Sequence, residues 1–227
     1  MRVPDWLLNS PIAHRGLHEG ESVPENSLAA FDAAASAGFP IELDIRIPKT
    51  GAPVAFHDGQ LARITGASGN VADSDFSELI ELMLYSTDQK IPSFQQVLDL
   101  VDGRVPLLVE IKTENHSSRM ESETCRILRR YAGDFAVQSF DSFTVEWLKN
   151  HAPEFTRGLI CESMAEISET EFAACDPDFV ACEHRGLPDA RQNFPLLAWT
   201  VRSEKEAAAA LRIADNLIFE DFRPEFG

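Results

Sequence analysis

Eight short apolar runs punctuate the chain: Ile12 to His14, Ile41 to Ile45, Leu107 to Ile111, Phe135 to Ser139, Arg157 to Cys161, Phe179 to Cys182, Leu196 to Thr200 and Asn216 to Phe219. Each has the length and the β-branched or aromatic content of a buried strand. Between most of them lie helical patterns, at Ser27 to Ala37, Phe94 to Val101, Ser117 to Tyr131, Ser142 to Asn150, Glu166 to Cys175 and Glu204 to Ile213. Strands alternating with helices mean parallel neighbours joined by crossovers. Eight such units predict an α/β fold, a closed (β/α)8 TIM-type barrel; an open doubly wound sheet is the alternative that gives similar local patterns.

One run breaks the alternation. Pro53 to His57 follows the second strand after only Pro48-Lys49-Thr50-Gly51, and parallel strands cannot be joined by so short a link. The second strand is therefore expected to pass the rim, turn at Gly51 and return antiparallel, bringing His57 back to the level of Asp44. Residues 58–90, with a short helical piece near Phe76 to Leu84, form a small excursion over the barrel mouth. The 227 residues suit a single domain of this kind.

A formal charge of −17 argues against broad binding to nucleic acid or to an anionic membrane, so an anionic substrate must be drawn in by local cations. No stretch reaches the ~18 continuous apolar residues of a membrane span. Residues Met1 to Ser10 carry no secretory pattern, and a cytoplasmic location is expected. Cys125, Cys161, Cys175 and Cys182 have no paired metal-type spacing and read as buried, reduced thiols.

Chemistry-bearing residues cluster at strand ends: His14-Arg15-Gly16, Glu42-Leu43-Asp44, His57-Asp58 and Glu110-Ile111-Lys112. That is where a barrel enzyme assembles its site. Glu42 and Asp44, two apart in a strand, project to one side. Two buried carboxylates need a compensating cation, and oxygen donors favour one hard divalent ion, Mg2+ or Ca2+, with Glu110 as third ligand. Ion pairing to Arg46, Lys112 or Arg15 is the alternative. His14 and His57 can divide general acid and base roles. Arg15 and Lys112 can contact a phosphate. Asn26 or Ser27 caps a helix, with Asn26 also able to support a ligand, and Trp199 can wall a small polyol or headgroup. His18, His116, His151 and His184 lack such company and read as surface or structural, although His184 follows a strand closely.

These packets, together with Pro24-Glu25-Asn26-Ser27, Ile91-Pro92-Ser93-Phe94, Ser139-Phe140-Asp141 and Trp199-Thr200-Val201, make the chain resemble the glycerophosphodiester phosphodiesterases over nearly its whole length. The resemblance implies a TIM-type barrel with His14 and His57 catalytic, Glu42, Asp44 and Glu110 on a metal, and Arg15 and Lys112 on the phosphate. It implies metal-dependent hydrolysis of a small-molecule glycerophosphodiester to sn-glycerol 3-phosphate and an alcohol. A lysophospholipase D-like activity, or a barrel that binds phosphodiesters without turnover, are the alternatives. The chain departs from the family pattern at Arg63-Ile64-Thr65, at Arg202 and at Glu220-Asp221, which bears on headgroup selection.

Overall fold

The computed structural model describes residues 3–113 and 117–224; His116, read above as surface or structural, lies outside them. In chain order the elements are α1 (Asp5–Asn9), β1 (Ile12–Ala13), α2 (Leu28–Ala37), β2 (Ile41–Arg46), β3 (Val54–Ala55), α3 (Ala62–Thr65), α4 (Phe76–Leu79), α5 (Phe94–Val101), β4 (Leu107–Ile111), α6 (Arg119–Leu128), β5 (Phe135–Ser139), α7 (Ser142–His151), β6 (Arg157–Cys161), α8 (Glu169–Cys175), β7 (Phe179–Glu183), β8 (Leu196–Val201), α9 (Glu204–Ala210) and β9 (Asn216–Phe219).

All strands except β3 run parallel, and β1 pairs with both β9 and β2, which closes the barrel. An open sheet is thereby excluded. The strand register sorts side chains into two sets. Ile41, Leu43, Ile45, Val109, Val137, Val180, Leu196, Ala198 and Phe219 pack outward against the helices. Ile12, Leu108, Ala136, Ile160, Phe179, Ala181, Leu197 and Ile218 fill the barrel interior. Both faces of the strands are buried, and apart from the inner face of β2, which carries Glu42 and Asp44, they are largely apolar, which is why the strands read as continuous runs rather than as alternating ones. Helix α1, not anticipated from sequence, adds Leu7 to the interior set. Its end is tied to β9 where Asn216 Nδ2 donates to the carbonyls of Leu7 and Ser10, at 2.9 and 2.7 Å.

The helices begin where polar caps sit. Ser27, Ser168 and Ser203 accept from backbone amides three residues on, Ser93 forms a reciprocal capping box with Gln96, and Asp141 caps α7.

Strand β1 is only two residues long, so the upper half of β2 has a free side, and β3 takes it. Ile45 pairs with Ala55 and Arg46 with Val54, antiparallel, and the Phe56 amide donates to the Asp44 carbonyl at 3.0 Å. His57 therefore returns to the height of Asp44. Gly51 makes the turn at φ 85°, with Phe76 so close that a Cβ would stand 2.6 Å from its own Cβ. The excursion has a small apolar core of its own, in which Phe56, Leu61, Ile64, Val71, Leu79, Leu84 and Ile91 are buried. The expected helical piece is shorter than its pattern, ending at Leu79.

Candidate active site

Side chains two positions beyond the interior set rise from the carboxyl ends of the strands: His14 above Ile12, Glu110 above Leu108, Gln138 above Ala136, Glu162 above Ile160, Trp199 above Leu197 and Glu220 above Ile218. They line a cleft of about 390 Å³ that also takes in Arg15, Glu42, His57 and Lys112. Seven of the nine residues singled out from sequence line this cleft. The other two, Asp44 and Asn26, are fully buried and bonded to each other behind it.

The turn after β1 is set by Gly16. At φ 81° it lies so close to the Ala30 carbonyl that a Cβ would meet that backbone at 2.7 Å. The turn points the Arg15 amide at Glu42 Oε2, 3.0 Å away, and places the guanidinium between two carboxylates. Its Nε lies 3.1 Å from Asp44 Oδ2, and its Nη1 donates to Glu25 Oε1 at 2.9 Å. Asn26 adopts φ 54°. Its Nδ2 donates to Asp44 Oδ2 at 2.8 Å, and its Oδ1 accepts from the Asp44 amide at 3.1 Å. Ser27, not Asn26, is the helix cap, which leaves Asn26 entirely to Asp44.

Glu42, Asp44 and Glu110 each offer an oxygen within 4.8 Å of the others. Lys112 Nζ sits 3.0 Å from Asp44 Oδ1 and 2.5 Å from Glu110 Oε1. Both residues expected as phosphate contacts, Arg15 and Lys112, are thus ion-paired to the carboxylates. These pairs do not satisfy the cluster. Burial, then the neighbouring Asp44 and Glu110, push the Glu42 carboxyl well above its usual range. Burial and Asp44 push Glu110 up to about 7 against the pull of Lys112. Burial opposes the charge on Asp44, but Lys112 and Arg15 hold its carboxyl well below the usual range. Three converging oxygen donors, two of them strained toward the protonated form, fit a hard divalent cation, which would let all three ionise.

Each of the two histidines is tethered through Nδ1 to a carboxylate. His14 Nδ1 is 2.5 Å from Glu220 Oε2, and His57 Nδ1 is 2.7 Å from Asp58 Oδ1. An Nδ1 proton donated to the carboxylate leaves Nε2 as the free acceptor. Burial pushes both imidazoles below their ordinary value, opposed by Glu220 at His14 and by Asp44 at His57. Asp58 is held by Arg63, whose guanidinium also binds Glu25 at 2.9 and 2.6 Å. The excursion thereby fixes both His57 and, through Glu25, Arg15.

Sequence reasoning missed Glu220. Barrel closure sets the end of β9 beside the end of β1, so residues 206 apart meet. His18, read from sequence as surface or structural, lines the cleft with Nε2 3.5 Å from Glu220 Oε2. Arg202 completes this group with Nη2 2.6 Å from Glu220 Oε1. His14 and His18 and their cation Arg202 together hold the Glu220 carboxyl far below the usual range despite its burial. The only sequence signal was the acid pair Glu220-Asp221 at a strand end. His151 stacks on Trp147, as a surface residue should.

The family model for the glycerophosphoryl diester phosphodiesterase family matches residues 14–223. The chain belongs to that family. Among curated relatives, the glycerophosphodiester phosphodiesterase of Caldanaerobacter subterraneus is 29% identical over 161 residues, covering 66% of this chain and 65% of that one. The chain thus spans about two thirds of that relative. The Bacillus subtilis glycerophosphodiester phosphodiesterase is 24% identical over 237 residues, covering 89% and 79%. An Oleispira antarctica phosphodiesterase, solved in complex with the product sn-glycerol-3-phosphate, superposes with a TM-score of 0.85 over 94% of this chain and 93% of its own, at 24% identity. A Galdieria sulphuraria structure superposes at 0.79, with 94% of each chain covered and 19% identity. These superpositions establish the barrel. Among the described residues no helix is long and apolar enough to cross a membrane.

Proposed function

We propose that the chain hydrolyses glycerophosphodiesters to sn-glycerol 3-phosphate and an alcohol, with residues 1–227 acting as one catalytic unit whose excursion, 58–90, steadies the mouth. One observation carries this reading. Two histidines with carboxylate-tethered Nδ1 atoms share a cleft with a converging three-carboxylate cluster and two cations. The relatives named above, and the product held by the Oleispira protein, support the same chemistry.

Glu42, Asp44 and Glu110 would hold one Mg2+ or Ca2+. When bound, the ion supplies positive charge against the phosphoryl oxygens. Lys112 and Arg15, which line the cleft beside these carboxylates, would supply the cationic contacts to a phosphate. The glycerol hydroxyl next to the ester is the nucleophile. One histidine Nε2 takes its proton as the oxygen attacks phosphorus, and the other histidine, protonated, gives a proton to the departing alcohol oxygen. Water then opens the resulting cyclic phosphate with the histidine roles reversed. Glu220 and Asp58 keep the two rings in the required tautomer and orientation.

The test is product identity. Glycerophosphocholine incubated with the protein and Mg2+ or Ca2+ should yield sn-glycerol 3-phosphate and choline in equal amounts. Phosphocholine and glycerol, or no cleavage at all, would overturn the assignment.

A further inference from the structure

The carboxylate cluster lies off one edge of the His14 ring, and a second group of metal-type donors lies off the other. His14 Nε2 is 3.9 Å from Glu42 Oε2, while Nδ1 is 2.5 Å from Glu220 Oε2. His18 Nε2 approaches that same Glu220 oxygen at 3.5 Å. His14, His18 and Glu220 each offer a ligand atom within 4.8 Å of the others. Barrel closure builds this group: Ala13 pairs with Phe219, so the residues that follow, His14 and Glu220, leave adjacent strand ends together.

The proposed hydrolysis leaves part of the group unused. One carboxylate suffices to tether His14, and no step needs His18. Its side chain is only 13% exposed, yet Nε2 stands at 3.5 Å, beyond the ~2.7–3.2 Å of a good N–H···O bond. The other Glu220 oxygen is taken by Arg202, with Nη2 at 2.6 Å and Nε at 2.7 Å, which leaves Oε2 to both rings. Glu220 and Arg202 are also positions at which the chain departs from the family pattern.

Two imidazoles and a carboxylate oxygen suit a borderline transition dication, whereas Mg2+ and Ca2+ prefer the all-oxygen set of Glu42, Asp44 and Glu110. Bond lengths of about 2.0–2.1 Å put neighbouring donors on a tetrahedral zinc about 3.3 Å apart. The spacing of His18 from Glu220 is already close to this. The spacing of His14 from Glu220 is shorter because a proton bridges the two atoms, and it would open as a metal took the proton's place. His18 and Glu220 also line a second hollow, of about 280 Å³, together with Glu19, Asp221 and Arg223. A cation can therefore reach them from a side that substrate does not occupy, past two further acids and one arginine.

We propose that His14, His18 and Glu220 form a second metal site, for a borderline dication of the Zn2+ type, and that its occupancy switches catalysis off. The site stands on the donor geometry; the switch rests on the phosphodiesterase reading, in which His14 moves a proton. A neutral imidazole metallated at Nδ1 carries its one proton on Nε2. Nε2 then has no lone pair to accept the proton of the nucleophile, and giving its own proton up would leave an imidazolate.

Zn2+, being redox-inert, is the probe. Calorimetric titration of Zn2+ into protein held in excess Mg2+, which occupies the carboxylate cluster, should show one Zn2+ per chain in the wild type. Affinity should fall at least about 10-fold in His18→Gln and in Glu220→Gln; if one variant fails to fold, the other carries the comparison. Zn2+ should also raise the Tm of the wild type more than that of either variant. In the same excess of Mg2+, Zn2+ should suppress cleavage of glycerophosphocholine, at a concentration at least about 10-fold higher in His18→Gln, and further Mg2+ should not relieve it. Absence of a one-to-one binding phase, equal affinity in the wild type and the variants, or Zn2+ that Mg2+ displaces would overturn the site. Bound Zn2+ without inhibition would overturn the switch. If the ester is not cleaved under any condition, the phosphodiesterase reading falls, and the binding titration still decides the site.

Discussion

Asn26 offers the sharpest test of how the carboxylate cluster is held together. Its side chain is 1% exposed, and it makes two bonds to one residue: a donor to Asp44 Oδ2 at 2.8 Å and an acceptor from the Asp44 amide at 3.1 Å. Asn26→Ala removes both. Losing a hydrogen bond to a charged group costs about 1.5–3 kcal/mol, and leaving a buried amide unsatisfied costs about 1–3 kcal/mol. Alanine at φ 54° adds about 1 kcal/mol of left-handed backbone strain. The sum, about 3.5–7 kcal/mol, is a large part of the roughly 5–15 kcal/mol that holds a domain folded. Asn26→Gly should lose the hydrogen bonds without the strain and sit about 1 kcal/mol above the alanine variant. Asn26→Asp keeps an acceptor for the Asp44 amide but sets a second carboxylate against Asp44 Oδ2, so it should be rescued most by added Mg2+ or Ca2+. Urea unfolding read by tryptophan fluorescence, with and without the metal, measures all three. A loss below about 1 kcal/mol in Asn26→Ala, or equal stability of the alanine and glycine variants, would refute the reasoning.

Three further outcomes follow from other parts of the molecule. Glu25 and Glu220 titrate below the ordinary 4.5 in the folded chain, through Arg63 and Arg15 in one case and His14 and His18 in the other. The unfolded state therefore binds more protons, so their contribution is fully present above pH 4.5 and fades as pH falls below it. The urea midpoint should drop between pH 5 and pH 3, and less steeply in Glu220→Gln; identical slopes would exclude Glu220 as a source. Gly16→Ala must adopt φ 81° and displace the Ala30 backbone, so a loss of at least about 1–3 kcal/mol is expected in thermal or urea unfolding. Burial lifts the Cys125 and Cys175 thiols to about 12 and about 11. Both should resist a thiol reagent at pH 8 and react once the chain is unfolded, as a timed titration would show.

The barrel was legible because every strand buries both faces, which writes each one as a compact apolar run, and because helix-length patterns separate them. The β2 to β3 hairpin was legible for a different reason: a seven-residue link cannot join parallel strands, so geometry left one solution. The carboxylates and histidines stood out as charges at the ends of apolar runs, where burial makes them costly. What sequence could not reveal came from closure. Glu220 meets His14 only because the last strand lies beside the first, and no local pattern encodes that contact. His18 and Arg202 were hidden with it. Asn26 was visible as a residue opening a helix, but its neighbour Ser27 does the capping, and the left-handed conformation that turns Asn26 onto Asp44 is a property of the packed turn. Helix α1 was too short to carry a periodic signal.

The central claim is that metal, carboxylate cluster and both histidines act on one phosphodiester. Its most direct test is the formation of sn-glycerol 3-phosphate from glycerophosphocholine by metal-stripped protein as Mg2+ or Ca2+ is titrated back, in the wild type, His14→Ala, His57→Ala and Glu42→Gln. The account predicts no turnover without metal, recovery that saturates as one ion binds per chain, at least a 100-fold lower rate in each histidine variant, and a higher metal requirement in Glu42→Gln. Turnover by the stripped wild type, or near-normal turnover by either histidine variant, would contradict it.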